Sequence, residues 1–477
     1  MEYSGKKVLV MGLGLHGGGL ETARFLLKRG ASLTVTDLRD EKILRPSIEQ
    51  LDAACSELGR EGVRYVLGKH EIDDFKKADI VIKNPGVKPD SPYLNAANCV
   101  ETDISLFLAE SRARLFAVTG SKGKSCTASA LSWILARSEN SCKTFLGGNI
   151  TVSPLTFIDE LTEDDNVVLE LSSWQLGDLK GRAAADGSPL LKPKAAILTA
   201  IMPDHLDRYA SMEEYIDDKR NIYRGQDKSC VTIAGDDSWG MSFHAESKGR
   251  PLVYSRHALG ENQSGGWIDE SGRGLALLKN CPDCKEETAE LVPSSLRTPG
   301  DHQKINLLAA SLAAYSHGIK AEKIHSALAD FPGIEHRLEL FHEADGISFY
   351  NDSAATIPQA AAACVQALGS RPLILVTGGT DKKLDFTPLV KAAVQATKII
   401  LLAGTGSDKL VKLLGEEGVN YSGPFDDLDK AVRCALEKAK EGRNPVVALS
   451  PGCASFGMFL NEFDRGRKWK EAVLKLA

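Results

Sequence analysis

Seven consecutive residues between an apolar run and an amphipathic one carry the strongest chemical signal in the chain: Thr119-Gly120-Ser121-Lys122-Gly123-Lys124-Ser125. A glycine-rich turn leading into a helix aims backbone N–H groups at a phosphate, and the helix dipole favours the anion there. Lys124 would reach the outer phosphates of a nucleoside triphosphate, and the Ser125 hydroxyl would ligate Mg²⁺. The spacing is GxxGKS, shorter than GxxxxGK[ST], with Val118 where a more distant glycine would stand. Glu170 lies inside VVLELSSW, a run otherwise apolar enough to be a buried parallel strand. A lone buried carboxylate is costly unless it faces a cation or holds a proton, and beside a phosphate loop the natural cation is Mg²⁺. On an edge strand the same glutamate would face water. Asp204-His205-Leu206-Asp207 follows the apolar run AAILTAI; HxD on a loop holds divalent metals, although such tripeptides are common. Lys219 falls 14 residues beyond His205 in EEYIDDKRNIY, where by itself it reads as a solvated helix lysine.

A second glycine turn, Gly12-Leu13-Gly14-Leu15-His16-Gly17, follows the first apolar run, and Asp37 ends the next run 20 residues beyond Gly17. This fits a dinucleotide fingerprint, with the acid placed for a ribose hydroxyl. Such a turn cradles any diphosphate, that of a UDP-sugar as well as that of NAD, so the motif does not choose between them. Cys281 and Cys284 form the single CxxC of the chain. A zinc ribbon needs a second pair, so they read as a turn in a loop.

These candidates follow short β-branched runs that alternate with helical patterns, the signature of α/β domains whose ligands sit at the carboxyl ends of the strands. One such stretch runs from Lys7 to about Asp103, with KVLVMG, SLTVTD and ADIVIKNPG. Another opens with RLFAVTG at Arg114 and runs to about Gly333; the last begins near Ile334 with ISFYND, RPLILVTGG, TKIILLAGTG and NPVVALSPG. Arg256 to Glu290, rich in Gly, Ser, Asn and charge, reads as hairpins or loops with little core of their own. A chain of 477 residues exceeds what one core supports, so several domains are expected. Lys+Arg 58 against Asp+Glu 64 gives a net charge of -6, which argues against a nucleic-acid partner and leaves anionic ligands to a few local cations and N–H groups. No run reaches the roughly 18 apolar residues of a membrane span and no signal-peptide pattern precedes the first strand. The 10 cysteines are scattered, which suits reduced thiols, and a cytoplasmic protein is expected.

Taken in order, TGSKGKS (119–125), LELSSWQL (169–176), DHLDRY (204–209), GDHQKIN (300–306), HRLE (336–339), YNDSAAT (350–356), GGTDKKLDF (378–386) and SPGCASFGMFLNEFDRG (450–466) resemble the Mur ligases, of the type that adds D-glutamate. NPGV at Asn84 to Val87 extends the resemblance into the first stretch, so that it covers essentially the whole chain. It implies an α/β fold of three domains: a Rossmann-like UDP-sugar-binding domain over 1–103, a central P-loop ATPase domain with a parallel sheet over 104–333, and a Rossmann-like amino-acid-binding domain over 334–477. The implied reaction is ATP-dependent amide ligation of glutamate to UDP-N-acetylmuramoyl-L-alanine through an acyl phosphate, with two Mg²⁺ ions, by a monomer without nucleic-acid or membrane partners.

By that resemblance Gly120, Ser121, Lys122, Gly123, Lys124, Ser125 and Cys126 would bind the ATP phosphates, Asn306 would lie on the adenine side, and Arg337 and Asp352 would serve the ribose and phosphates. Lys124, Glu170, His205 and Lys219 would form the catalytic set, with Ser125 and Glu170 on the first Mg²⁺, His205 on the second, and Lys219 as the family's carbamylated lysine. An ammonium beside Mg²⁺ is repelled, whereas a carbamate is an anionic oxygen ligand. Gly12, Gly14, Leu15, His16, Gly17, Asp37, Arg39 and Asn149 would hold the UDP-sugar; Thr356, Lys382, Ser455 and Phe463 would hold the glutamate. Several positions depart from the pattern: Gln303 for a common asparagine, Ala354 and Leu460 for lysines, and Glu462 for an aromatic residue. The last three gather at the amino-acid end, so D-glutamate is expected, with L-glutamate or another amino acid as the alternative. A folylpolyglutamate synthase-like enzyme would share the chemistry. An NAD-dependent dehydrogenase rests on Gly12–Gly17 and Asp37 alone and leaves Lys124 and Glu170 without a role. A nucleotide-binding module without catalysis has no need of the full catalytic set.

Overall fold

The β-branched runs fold into three sheets in a computed structural model, which describes residues 2–14, 18–60, 62–138, 142–150, 152–204, 208–279, 287–297 and 300–477. In the first sheet Arg64–Leu67, Ser32–Asp37, Lys7–Met11, Ile80–Lys83 and Val100–Glu101 lie side by side in that order, all parallel. Lys7–Met11 is apolar on both faces because both are covered. Val8 and Val10 pack in one cluster with Leu20 and Leu26 of the helix Gly18–Lys28, and Leu9 and Met11 pack in another with Phe75 and Leu94. The winding reverses beside Lys7–Met11, which opens a crevice at its carboxyl end, where ligands of open α/β sheets bind.

The second sheet has nine strands, in the order Ala289–Val292, Gly274–Leu277, Gly265–Ile268, Arg250–Ser255, Val231–Gly235, Ala195–Leu198, Arg114–Thr119, Asn166–Glu170, Thr144–Gly148. It is parallel from Thr144–Gly148 to Gly265–Ile268, and the last two strands add antiparallel. The stretch read as hairpins does contain one, but its strands extend the main sheet: Ala276, Leu291 and Val292 are buried, and a Cβ at Gly266 would lie 3.0 Å from Leu308 of the helix Asp301–Tyr315. Small residues there admit the helix, which composition alone presents as a lack of core. The strand Arg114–Thr119 sits between Asn166–Glu170 and Ala195–Leu198, with Val118 opposite Glu170 and Thr119 opposite Leu198. Three segments with chemical candidates therefore leave the sheet side by side.

The third sheet runs Glu339–Ala344, Ile347–Asn351, Val446–Leu449, Leu373–Gly378, Lys398–Leu402, Tyr421–Phe425, with only the first pair antiparallel. Leu373, Leu375 and Ala448 pack with Val365 and Leu389 on one face, while Ile374, Val376 and Val447 pack with Val432 and Trp469 on the other. The chain thus forms three α/β domains arranged as two compact units. Met1–Ser294 with Lys304–Leu328 holds the first two sheets, and Ser295–Gln303 with Ala329–Ala477 holds the third. One hydrophobic cluster runs through the first unit from Leu26 and Phe107 to Phe157 and Leu169. No disulfide joins any two of the described cysteines. No helix among the described residues is long and apolar enough to cross a membrane. Leu15, His16, Gly17, His205, Cys281 and Cys284 lie outside the described residues.

Candidate active site

The phosphate loop begins where Thr119 ends its strand and donates its Oγ1 hydrogen to Leu171 O at 2.8 Å, fixing the neighbouring strand end that carries Glu170. Gly120 has φ +146°, and a Cβ there would lie 1.9 Å from Thr199 Oγ1; Gly123 has φ +94°, and a Cβ there would lie 2.4 Å from Asn306 Oδ1. Both positions require glycine, for backbone conformation and for the close approach of two neighbouring segments. Asn306 is thereby brought against the loop. The Ser121 hydroxyl donates to Met202 O at 2.9 Å and meets Tyr215 OH at 2.8 Å. The Ser121 and Lys122 N–H groups both donate to Ala200 O, at 2.9 and 3.3 Å. Ser121 therefore braces the loop. The donors left for phosphate are those of the first turn of the helix Lys124–Ser138, where N–H groups have no intrahelical acceptor. Ser125 is half-buried and Cys126 buried in that turn, and the exposed Lys122 ammonium lies 3.4 Å from Asp204 Oδ2.

Two ammonium groups converge on one carbonyl. Lys124 Nζ donates to Gly120 O at 3.0 Å and to Ser121 O at 3.2 Å, and Lys219 Nζ donates to the same Gly120 O at 2.9 Å. Lys219 is 1% exposed, lies 4.4 Å from the Tyr215 ring centroid and forms no ion pair with a described carboxylate. Burial, reinforced by the neighbouring Lys124 charge, pushes its pKa down to about 7. The sequence places it in a charged helix, Met212–Arg224, but the Tyr215, Ile216, Lys219 and Ile222 side of that helix is buried. Glu170 is 2% exposed; its Oε1 accepts from Asn149 Nδ2 at 3.0 Å, and its Oε2 is buried without a hydrogen-bond partner among the described residues. A buried, unpartnered carboxylate oxygen at a phosphate loop fits a Mg²⁺ ligand. A buried ammonium does not fit a cation site, whereas its carbamate would.

The crevice of the first sheet is a pocket of about 510 Å³ lined by Gly12, Leu13, Gly14, Asp37, Leu38, Arg39, His70, Asn84, Gly86 and Val87, among others. Asp37 is buried; its Oδ2 accepts from Gly14 N at 3.2 Å and its Oδ1 from Arg39 N at 2.9 Å. It braces the glycine turn in addition to any contact with ribose. His70, which no motif singles out, bonds Thr36 Oγ1 through Nδ1 at 2.7 Å, and burial holds its pKa below the usual histidine range. Asn149, the remaining residue expected to hold the UDP-sugar, donates to Glu170.

In the second unit the loops after three neighbouring strands gather around Arg465. This residue is 1% exposed and donates to Ser353 Oγ at 3.0 Å, Ser353 O at 2.8 Å and Cys453 O at 3.1 Å. Burial lowers its pKa to about 10, so it is still a cation at neutral pH. Around it Ala454 and Thr380 exchange backbone hydrogen bonds, Gly452 N donates to Ala355 O, and Ser353 Oγ donates to Glu462 O. These ties bring the segments of Thr356, Lys382, Ser455 and Phe463 together; Lys382 is exposed, Thr356 and Phe463 half-buried, Ser455 buried. Of the atypical positions Ala354 is half-buried and Leu460 is 80% exposed. Asp352 accepts from Ser450 Oγ at 2.6 Å and from Leu338 N at 3.1 Å, and burial raises its pKa to about 7 against the pull of those bonds and of the exposed Arg337. His336, Glu335 and Glu339 cluster as a possible metal group, but the Lys470 ammonium occupies the cation position, 3.1 Å from Glu335 and 2.7 Å from Glu339.

Three family profiles match the chain: Mur ligase MurD-like N-terminal domain over residues 6–105, Mur ligase middle domain over 118–314, and Mur ligase glutamate ligase domain over 336–453. A UDP-N-acetylmuramoylalanine–D-glutamate ligase of Treponema pallidum is 38% identical, covering 98% of this chain and 97% of its own. A protein of the same name from Roseiflexus is 38% identical over 99% of both chains, and one from Borreliella burgdorferi 37% over 100% and 99%. Among solved structures, the UDP-N-acetylmuramate–alanine ligase of Thermotoga maritima aligns with a TM-score of 0.57 at 19% identity over 99% of this chain and 100% of its own. The MurF ligase of the same organism, solved with ADP, aligns at 0.53 and 17% identity over 99% and 95%. At such identities these structures bear on the fold alone.

Proposed function

The chain belongs to the Mur ligase family, and from that premise we propose that it joins D-glutamate to UDP-N-acetylmuramoyl-L-alanine at the cost of ATP, in the peptidoglycan precursor synthesis of a bacterial cytoplasm. What carries the catalytic assignment is the meeting of Lys124 and buried Lys219 on Gly120 O, in the same loop region as the unpartnered oxygen of Glu170. A phosphate-release assay with UDP-N-acetylmuramoyl-L-alanine, ATP and a panel of amino acids tests the reading. Phosphate must appear only when all three substrates are present.

A carboxylate resists amines because its leaving group would be oxide. In the first step an oxygen of the alanyl carboxylate attacks the γ-phosphorus, the bond to ADP breaks, and an acyl phosphate forms. In the second the glutamate amine adds to the carbonyl carbon, its nitrogen loses a proton, and inorganic phosphate departs. Mg²⁺, two ions on this reading, supplies the charge neutralisation that phosphoryl transfer needs, held by Ser125, Glu170, His205 and Lys219 as its carbamate. Lys124 and the first-turn N–H groups of its helix orient the phosphates and stabilise negative charge as it moves. Asn306 serves the adenine side, and Arg337 and Asp352 the ribose and phosphates. The 1–103 domain holds the sugar nucleotide through Gly12 to Gly17, Asp37 and Arg39; Asn149, bonded to Glu170, acts nearer the reacting end. The 334–477 domain holds glutamate through Thr356, Lys382, Ser455 and Phe463.

Glutamate brings two carboxylates, and Ala354 lacks the cation usual in the family. Lys382 carries an exposed ammonium on the loop that Thr380 ties to Ala454, in the loop cluster around the buried cation of Arg465. A charge-assisted pair in a closed site contributes about 2–4 kcal/mol, so Lys382→Ala is expected to lower kcat/KM for D-glutamate roughly 30- to 1,000-fold while leaving binding of the sugar nucleotide unchanged. Steady-state kinetics with D-glutamate, L-glutamate, D-aspartate and lysine check both the size and the choice. A preference for L-glutamate would overturn the stereochemical assignment and leave the ligase mechanism standing.

A further inference from the structure

The loop that flanks the nucleotide pocket, Asn84 to Val87, is held by the central domain. Arg208 Nη1 donates to Pro85 O at 3.5 Å and to Gly86 O at 3.4 Å, and Nη2 donates to Val87 O at 3.2 Å. The guanidinium lies over Trp174, with Cζ 4.1 Å from the ring centroid, so ring and carbonyls fix its plane. Beside it Lys83, at the end of the strand Ile80–Lys83, forms a buried ion pair with Asp178 at the end of the helix Ser173–Asp178. Trp174 lies four residues after Glu170, and Arg208 four residues after Asp204. Both ties therefore come from segments leaving the phosphate-loop site; Arg208 reaches the pocket loop itself and Asp178 the strand end that leads into it. A planar fork satisfies several carbonyls at once, which an ammonium on a flexible stem does not. Asn84, Gly86 and Val87 line the pocket of about 510 Å³, so its shape follows the carbonyls that Arg208 holds.

We propose that Arg208 is a positioning residue for the sugar-nucleotide substrate, its guanidinium, stacked on Trp174, holding the Asn84–Val87 loop in the form that binds. This rests on the assignment of that pocket to the UDP-sugar. Without the fork the loop must be ordered by the ligand itself, which weakens binding of that ligand and of no other. The experiment is calorimetric titration of UDP-N-acetylmuramoyl-L-alanine alone, and of ATP alone, into the full-length enzyme and its Arg208→Ala, Arg208→Lys and Trp174→Leu variants, with steady-state kinetics and melting temperatures alongside. Arg208→Ala is expected to weaken the sugar nucleotide about 10- to 30-fold in Kd and KM, with the constants for ATP and glutamate within about twofold. Arg208→Lys keeps the charge without the fork and stays at least about fivefold weak; Trp174→Leu shifts the same constant in the same direction. A merely structural role would lower the melting temperature and kcat and leave Kd and KM alone. That result, or unchanged affinity in Arg208→Lys, overturns the proposal. Failure of the pocket assignment shows separately, as absent binding of the sugar nucleotide to the unaltered enzyme.

Discussion

Replacing Lys219 with alanine is expected to leave less than about 1% of the ligase activity, and formate or acetate in the buffer is expected to return part of it. Lys219 is buried against Gly120 O and the Tyr215 ring, beside a second ammonium and without a described carboxylate to pair with. As an ammonium it sits in a poorly solvated place where the fields of Asp204 and Asp218 do not offset burial and Lys124, a costly arrangement unless the charge is removed. Addition of CO₂ to the neutral amine, with loss of one proton, would place an anion there, suited to pair with Lys124 and to serve as an oxygen ligand for Mg²⁺ on the proposed reading. A small carboxylate diffusing into the space left by alanine supplies the same charge. The pH dependence has a definite sign. Burial and Lys124 lower the Lys219 pKa from 10.5 to about 7, so the amine that reacts with CO₂ predominates above about 7 and is lost as pH falls through it. Enzyme freed of CO₂ at low pH is expected to recover on adding bicarbonate, faster at pH 8 than at pH 6. Rescue of Lys219→Ala by methylamine and not by acetate would show that the residue acts as a cation, and full activity in that variant would remove it from the mechanism.

The parts of this site that were legible in the sequence are those whose chemistry is local. TGSKGKS declares itself because glycine, lysine and serine must be adjacent for a turn to become a helix N-terminus, and both glycines have the positive φ and close neighbours that only glycine tolerates. The three sheets were legible because each apolar run is itself the buried strand. Long-range burial was not. Lys219 sits among Asp217, Asp218 and Arg220, whose charges mask that it falls on the apolar side marked by Tyr215, Ile216, Ile222 and Tyr223 at helical spacing. Arg208 meets its carbonyl partner Val87 across 121 residues. Arg465 is in a quoted motif, but its part as the centre of three loops depends on strand order. The glycines of Arg256 to Glu290 read as loop because a packing glycine and a turn glycine are the same letter. The resemblance supplied roles for Asn306 and Lys219 that residue chemistry alone would not have assigned.

Lys124→Ala is expected to reduce ligation by about 10²- to 10³-fold or more in kcat while the affinity for UDP-N-acetylmuramoyl-L-alanine stays unchanged. The ammonium bonds Gly120 O and Ser121 O of its own loop, so its loss removes a charge beside the proposed phosphate site without opening a hole in the sheet below. Because the proposed sugar-nucleotide site lies at the carboxyl end of a different sheet, calorimetry with that substrate alone separates a lost phosphate contact from a misfolded domain. The variant has a second consequence that a simple phosphate ligand would not produce. Lys124 is the largest charge holding the Lys219 pKa down after burial itself. Removing it should raise that pKa from about 7 toward its ordinary value, so the bicarbonate-dependent recovery of the weakly active variant should move to higher pH. Arginine in place of Lys124 keeps the charge but not the compact ammonium, and should preserve the Lys219 titration while still lowering kcat. Near-normal ligation by Lys124→Ala would sink the phosphate-loop assignment. Lost ligation with an unmoved pH dependence would mean that Lys124 binds phosphate but that the two lysines do not share the field of one site.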